Sequence, residues 1–373
     1  MIERKDFVRI GDMTLADFFA SPLQNAYDWV VRTTSGTSEQ GPIVSVMNLS
    51  SGSEERQGWY FDAERTIICM GAFNSRVLSA LSLDKYGNPY TCAILAVDYR
   101  DLAPELTGII SDFAPERIIG FPSFLARLIP YISPEVGSGV QKLCLGGEMI
   151  TPVLAKLFAS SFPNASYCLL YAAGEIGSIS ETTCTYLPLN YYHPLRGVTI
   201  EILDPDETGA GDLLVSKVLH GGISIEKYRI GDMARIHKNS CPCGYNLAFE
   251  SLGRKGHDYI KLVGALLLRA EFDRVAIGMK TLFEDYRVEA SQVLDQRTVK
   301  GKIHIQVFRI GLPGTEAFTT EIADRFSREL FLTPSQTLSD LVAADVFLPL
   351  SVEFTNVPFE QKHKDVKLFL KIA

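Results

Sequence analysis

Between about residues 64 and 220, short apolar runs alternate with amphipathic stretches. RTIICMG (65–71), YTCAILAV (90–97), RIIGF (117–121), KLCLGG (142–147) and SYCLLYA (166–172) are apolar at successive positions. Such runs read as parallel strands covered by helices on both faces. Pro122-Ser123 before FLARLIPYI and Thr151-Pro152 before VLAKLFASSF set an N-cap residue or an N1 proline ahead of a helical apolar period. Strand and helix in alternation predict an α/β layered domain. After residue 197 the pattern shortens: GVTIEILD, GDLLVSKV and YRIGDMARI are strands divided by Pro/Gly/Asp turns, predicting a β-rich subdomain. From about residue 265 comes a helical stretch, a charged β-hairpin (VKGKIHIQVFRI) and a second helix (TTEIADRFSRELF). The strand LSVEFTNV and a Lys-rich end complete a small α+β domain. The joint is expected within Gly253–Asp258, giving a large domain over 1–256 and a small mobile cap over 257–373.

The bulk numbers narrow the classes. A chain of 373 residues, 46% hydrophobic and 21% charged, is long enough for about two globular domains. A formal net charge of −8 argues against nucleic acid as partner. No run approaches the roughly twenty apolar residues of a membrane span. The N-terminal MIERKDFVRIGD has no apolar signal core, so the cytoplasm is the expected location. Seven cysteines, scattered and odd in number, read as reduced thiols, with only Cys241 and Cys243 close together.

Several loops carry chemistry. Thr33-Thr34-Ser35-Gly36-Thr37-Ser38 offers hydroxyl and backbone donors that can wrap phosphate oxygens; no Lys-Ser/Thr pair follows, so it is not a Walker A loop. By composition alone it reads as a surface loop before a phosphate cradle. Gly146-Gly147-Glu148 ends the strand KLCL, where ligands approach α/β sheets, and is otherwise a tight turn. Tyr171-Ala172-Ala173-Gly174-Glu175 again follows a strand, adding an aromatic ring and a carboxylate able to hold Mg²⁺. Asp232, in Tyr228-Arg229-Ile230-Gly231-Asp232, is expected on a turn between two strands, suited to accept both ribose hydroxyls or simply to make a β-turn. Gly253-Arg254 runs into the joint. Pro358-Phe359-Glu360-Gln361-Lys362-His363-Lys364 lies near the end and is either a catalytic lysine segment or a basic tail.

In this order and at these spacings the motifs resemble those of the adenylate-forming superfamily of acyl-CoA synthetases, luciferases and peptide-synthetase adenylation domains, over residues 30–370. CPCG before the Gly-Arg motif and the helix after a Pro-Ser pair resemble the phenylacetate–CoA ligase branch. The resemblance implies that Ser35, Gly36, Thr37 and Ser38 form the phosphate loop and that Gly147 and Glu148 lie beside adenine. It implies that Tyr171 stacks near adenine next to Ala172, that Glu175 is the Mg²⁺ and phosphate carboxylate, and that Asp232 and Arg254 serve the ribose. Lys364 or Lys362 takes the adenylation lysine's place, and His257-Asp258 falls at the hinge. Departures are Glu39 and Gln40 after the phosphate loop, Gly174 before Glu175, and Lys362-His363-Lys364 for the family's Gly-Lys pair.

ATP, AMP and Mg²⁺ are the implied cofactors. Cys184, His193, Cys241 and Cys243 resemble a structural Zn²⁺ set of the same branch; three thiolates and an imidazole satisfy tetrahedral zinc, whereas the C-x-C spacing is also that of free thiols in a turn. The implied activity is attack of a carboxylate on ATP, giving acyl-AMP and pyrophosphate. An aromatic acid is favoured, with Phe73, Phe121 and Phe124 as pocket or core residues. The short chain before the phosphate loop and the altered loop resemble acid-activating proteins of phenazine antibiotic pathways, which implies a phenazine carboxylate and a downstream reductase. A complete aryl- or acyl-CoA ligase, acyl transfer to an acceptor protein, and a degenerate nucleotide-binding module stay open, as does a homodimer.

Overall fold

A computed structural model describes residues 2–3, 29–33, 44–48, 65–70, 93–98, 101–173, 176–182, 184–218, 224–238, 240–254, 259–309, 316–357, 359 and 368–371. The chain divides into two compact units. One is Met1–Phe121, Ser138–Met149 and Asn164–Lys255; the other is Pro122–Gly137, Ile150–Pro163 and Gly256–Ala373. One boundary follows Lys255, and two helical segments from the middle of the chain group with the C-terminal part.

The first unit opens with β1 (Ile2–Glu3) and the antiparallel pair β2 (Trp29–Thr33) and β3 (Val44–Asn48). Its main sheet contains β4 (Arg65–Cys69), β5 (Ala93–Ala96), β6 (Arg117–Gly120), β7 (Lys142–Gly146), β8 (Ser166–Ala173) and β9 (Gly177–Thr182). The order is β5-β4-β6-β7-β8-β9, parallel except for the antiparallel edge β9. The five apolar runs of the sequence are the five parallel strands. Ile68, Ile119, Cys144 and Cys168 are register neighbours and form one buried row across them. Ile67, Ile118 and Leu143, one position away on the other face, are also fully buried. Burial on both faces is why these strands do not alternate polar with apolar. Between β5 and β6 runs α1 (Leu106–Phe113).

A second, mostly antiparallel sheet holds β10 (Tyr191–Tyr192), β11 (Thr199–Leu203), β12 (Ala210–Val218), β13 (Ser224–His237) and β14 (Ala248–Arg254), in the order β10-β14-β13-β12-β11. β1 joins β13 in parallel. YRIGDMARI is therefore not a strand, a turn and a strand. It lies inside the single 14-residue strand β13.

The second unit includes α2 (Pro122–Leu128), α3 (Pro134–Gly139, ending two residues past the unit's first segment) and α4 (Pro152–Ser161). The Thr151 hydroxyl caps α4 by accepting from the Leu154 amide, as its Thr-Pro start predicts. Then follow the hairpin β15 (Tyr259–Leu262) and β16 (Ala265–Leu268), and α5 (Arg269–Ile277). β17 (Asp285–Asp295) and β18 (Thr298–Phe308) form a long hairpin, and α6 (Glu316–Glu329) follows. The small pair β19 (Phe331–Thr333) and β20 (Gln336–Thr337) leads into α7 (Leu338–Ala343), which opens with a Thr337/Asp340 capping box. β21 (Ser351–Thr355) pairs in parallel with β18 and β22 (Leu368–Lys371) with β17, giving the order β21-β18-β17-β22. VKGKIHIQVFRI, expected as a hairpin by itself, supplies one arm, β18; the turn sits earlier, at Gln296-Arg297. Gly301 interrupts nothing, because the Phe347 ring packs against its missing side chain. Arg297 ties the hairpin turn to the end of α2's segment, donating to the Ile132 carbonyl at 2.7 Å.

Among the described residues, no helix is long and apolar enough to cross a membrane.

Candidate nucleotide site and metal centre

Asp232 stands where β13 leaves its ladder. Asp212 pairs with Met233 and Leu214 with Arg229, so Ile230-Gly231-Asp232 lie opposite Leu213 alone. Gly231 takes φ of +85°, a left-handed conformation that glycine adopts without steric cost. A bulge of this kind bends a strand and re-aims its side chains. The nearly fully buried carboxylate of Asp212 pairs with the Arg229 guanidinium, spanning the base of the bulge. On the opposite edge Asp232 is the direct register partner of Arg254 in β14. The two residues assigned to ribose, 22 apart in the numbering, are thus cross-strand neighbours.

The third member is Tyr171 of β8. Its hydroxyl donates to Asp232 Oδ2 at 2.5 Å, the short end of the range for a hydroxyl on a carboxylate. Tyr171 also borders an irregularity: it pairs with Ser180 and Ala172 with Ser178, leaving Ile179 as the extra residue. Ala172 itself is exposed. The Tyr171 ring sits 5.2 Å from Tyr192, tilted, and 5.3 Å from Phe249, edge-on. Tyr192 and Phe249 are register partners in β10 and β14 and stack on each other. Burial, and secondarily the Asp232 charge, push the Tyr192 phenol up. Tyr192 and Phe249 support Tyr171 without any motif to mark them; in the sequence they are two aromatic residues in separate strands.

Gly147 follows β7 with φ of +75°, and the Phe121 ring lies where a Cβ would be, 2.8 Å from it. Glu148 is next in the same turn. Met149 then approaches β14: its sulfur is 3.2 Å from the position of a Cβ on Gly253. Phe124 is fully buried, which makes it a core residue. Ser35, Gly36, Thr37 and Ser38 lie outside the described residues, although the flanking Thr33 and Val44 pair across β2 and β3. Gly174, Glu175, His257, Lys362, Lys364 and Phe73 also lie outside them, as does the Arg254 side chain.

The second assembly is built from two loops. Cys184 lies before β10 and His193 directly after it, and Cys241 and Cys243 sit between β13 and β14. Their ligand atoms all lie within 4.8 Å of one another. Cys184 Sγ is 3.5 Å from Cys241 Sγ, and Cys243 Sγ is 3.2 Å from His193 Nε2. Tetrahedral zinc with ordinary bond lengths separates two thiolates by about 3.8 Å and a thiolate from an imidazole by about 3.6 Å. The donor set fits. His193 Nδ1 lies 2.7 Å from the Leu247 carbonyl, which can only accept, so Nδ1 carries the proton and Nε2 presents its lone pair to the cysteines. Tyr245 stacks on the His193 ring at 4.5 Å. Backbone amides reach the sulfurs as well: that of Cys243 acts to lower the Cys241 thiol, although the Cys243 side chain, burial and Cys184 together raise it to about 11, and that of Tyr245 helps lower Cys243 against burial. Amide donors directed at sulfur favour the thiolate, the form that binds metal.

No family model matches the sequence, and no curated protein matches it. Solved structures do. 2-Hydroxyisobutyryl-CoA ligase, in complex with 2-HIB-AMP and CoA in its thioesterification state, superposes with a TM-score of 0.55 at 13% identity, over 100% of this chain and 80% of that one. The same ligase in its postadenylation state gives 0.52 at 14%, over 100% and 79%. A malonyl-CoA ligase with methylmalonyl-CoA and AMP bound gives 0.51 at 16%, over 88% and 71%. The fold is that of the adenylate-forming ligases. Tyr171 of β8, Asp232 of β13 and Arg254 of β14 come together at one place: the first two by a hydrogen bond and the last two by strand register.

Proposed function

We propose that this chain is an ATP-dependent ligase that joins a carboxylic acid to AMP and releases pyrophosphate. The observation that carries the reading is the convergence of three separate motifs: the Tyr171 hydroxyl on Asp232, and Asp232 beside Arg254. A carboxylate at a strand bulge accepts hydrogen bonds and offers lone pairs to more than one donor, which suits vicinal ribose hydroxyls. Gly146-Gly147 opens the backbone at the end of a parallel strand, where adenine can approach beside Glu148. Arg254 serves the same nucleotide. Ser35, Gly36, Thr37 and Ser38 bind the phosphates that leave as pyrophosphate. Mg²⁺, held through Glu175, supplies positive charge against the phosphate oxygens. Lys364 or Lys362 neutralises the charge that builds as the carboxylate oxygen bonds to the α-phosphorus and the bond to the leaving pyrophosphate breaks.

The substrate in this reading is aromatic. The Phe121 ring against Gly147 supports it, since a ring beside the glycine turn can face a flat acid. The Cys/His cluster binds a structural zinc and supports kinship with the phenylacetate–CoA ligase branch. Within that branch a phenazine carboxylate, activated in the cytoplasm for a downstream reductase or another acyl acceptor, is the substrate we favour. The second reading is a complete CoA ligase, because a similar fold is known with CoA bound in a thioesterification state.

Carboxylate-dependent exchange of labelled pyrophosphate into ATP, across aromatic and aliphatic acids, tests the proposal. Exchange with at least one acid, lost in Glu175→Gln, is the expected result. ATP binding without exchange for any acid would leave a nucleotide-binding module and no ligase. Consumption of free CoA thiol would favour the second reading.

A further inference from the structure

We infer that Tyr171 acts on the nucleotide through Asp232: its hydroxyl fixes the carboxylate that meets the ribose, making it a positioning residue for ribonucleotide over deoxyribonucleotide. The inference rests on the ligase reading above, in which Asp232 is the ribose acceptor. It differs from the stacking role that the motif resemblance implies for this ring.

Geometry carries it. The ring is braced by Tyr192 on one side and by the edge-on Phe249 on another, and these two buried residues stack on each other at 5.4 Å. Tyr192 and Phe249 are fixed by strand register, so the Tyr171 ring has a rigid support. Irregularities in both strands bring the partners together: one beside Tyr171 in β8, and the Gly231 bulge in β13. A tyrosine has one O–H, and this one is given to Asp232 Oδ2. An aspartate on a bulge has its own side-chain rotations to lose on binding. A phenol already bonded to one oxygen sets the carboxylate plane before the ribose arrives. Two hydroxyls on adjacent carbons need an acceptor with a defined plane, whereas a deoxyribose, with one hydroxyl fewer, demands less of it.

Removing the hydroxyl while keeping the ring isolates this role. Loss of one orienting hydrogen bond weakens affinity by roughly 2- to 12-fold. For the full-length chain, titration calorimetry with ATP and 2′-deoxyATP is run on wild type, Tyr171→Phe, Asp232→Asn and the double variant. The expected result is about fivefold weaker ATP binding in Tyr171→Phe, with 2′-deoxyATP changed less than twofold, so that sugar discrimination collapses. Asp232→Asn removes the same discrimination, and adding Tyr171→Phe to it changes nothing further, because the two groups act as one unit.

If Tyr171→Phe weakens ATP and 2′-deoxyATP equally, or weakens neither, while Asp232→Asn still abolishes discrimination, the positioning role is wrong and the ribose assignment stands. If Asp232→Asn leaves ATP affinity and discrimination unchanged, the ribose assignment fails and takes this inference with it. A fall in melting temperature with an unchanged affinity ratio also counts against the inference, since it marks a packing role alone.

Discussion

Loss of one sulfur from the four-residue cluster makes the sharpest structural prediction. Cys243→Ser replaces the ligand nearest His193, whose sulfur lies 3.2 Å from Nε2. The remaining three donors cannot complete a closed tetrahedron, and a serine hydroxyl is a poor zinc ligand at neutral pH. Zinc buffered 100-fold above its dissociation constant stabilises the state that binds it by about 2.7 kcal/mol. In a domain of roughly 150–250 residues that corresponds to about 5–10 °C in Tm. Wild type should therefore carry one zinc per chain by elemental analysis, and chelation should lower its Tm by that amount. Cys243→Ser should carry little zinc and melt at the lower temperature with or without chelator. The loss should reach the nucleotide site too, since Cys241 and Cys243 precede β14, which carries Phe249 and Arg254, and His193 directly follows Tyr192. Wild-type protein that binds no metal from a zinc-supplemented medium, with the same Tm in chelator, would refute the reasoning.

Further outcomes are specific. Gly147→Ala forces an alanine into φ of +75° and a methyl into the Phe121 ring; strain and overpacking together should cost about 2–4 kcal/mol, read as a shift in urea midpoint. An unchanged midpoint would mean that the turn is not built this way. Burial pushes the Cys69 thiol up from 9.0 to about 12. Its folded pKa exceeds its unfolded one, so its stabilising contribution is complete below pH 9 and is lost as pH rises toward 12. The decline in stability over that window should be shallower in Cys69→Ala, as measured by chemical denaturation. Of Lys362→Ala and Lys364→Ala, one should lower kcat for adenylation at least about 100-fold while leaving ATP affinity nearly unchanged, as expected of a group that acts on transition-state charge.

The layered sheet was legible because it is buried on both faces. Ile67 and Ile68, or Ile118 and Ile119, cannot alternate when each face is covered, and the resulting apolar runs stand out. The helix at Pro152 announced itself through Thr151, whose side chain makes the cap. Strand irregularities left no such mark. Gly231-Asp232 has the composition of a turn, and only the pairing with β12 and β14 turns it into a bulge within one strand. VKGKIHIQVFRI is likewise one arm of a longer hairpin, a pairing set by Asp285–Asp295 upstream, with the Phe347 ring filling the space at Gly301. The Cys/His set was suggested by resemblance and not by spacing, since Cys184 and Cys241 are 57 positions apart. Tyr192 and Phe249 support the site through pairing across strands distant in sequence, which periodicity does not encode.

Isotope transfer tests the account most directly. With a substrate acid labelled by ¹⁸O in its carboxylate, attack on the α-phosphorus leaves one labelled oxygen bridging acyl carbon and phosphorus. Cleavage at the acyl carbon then releases that oxygen with AMP. The expected result is ¹⁸O in AMP and none in pyrophosphate, with labelled AMP forming more slowly in Asp232→Asn at sub-saturating ATP. Label appearing in inorganic phosphate, or ATP turned over with no label in AMP, would contradict it.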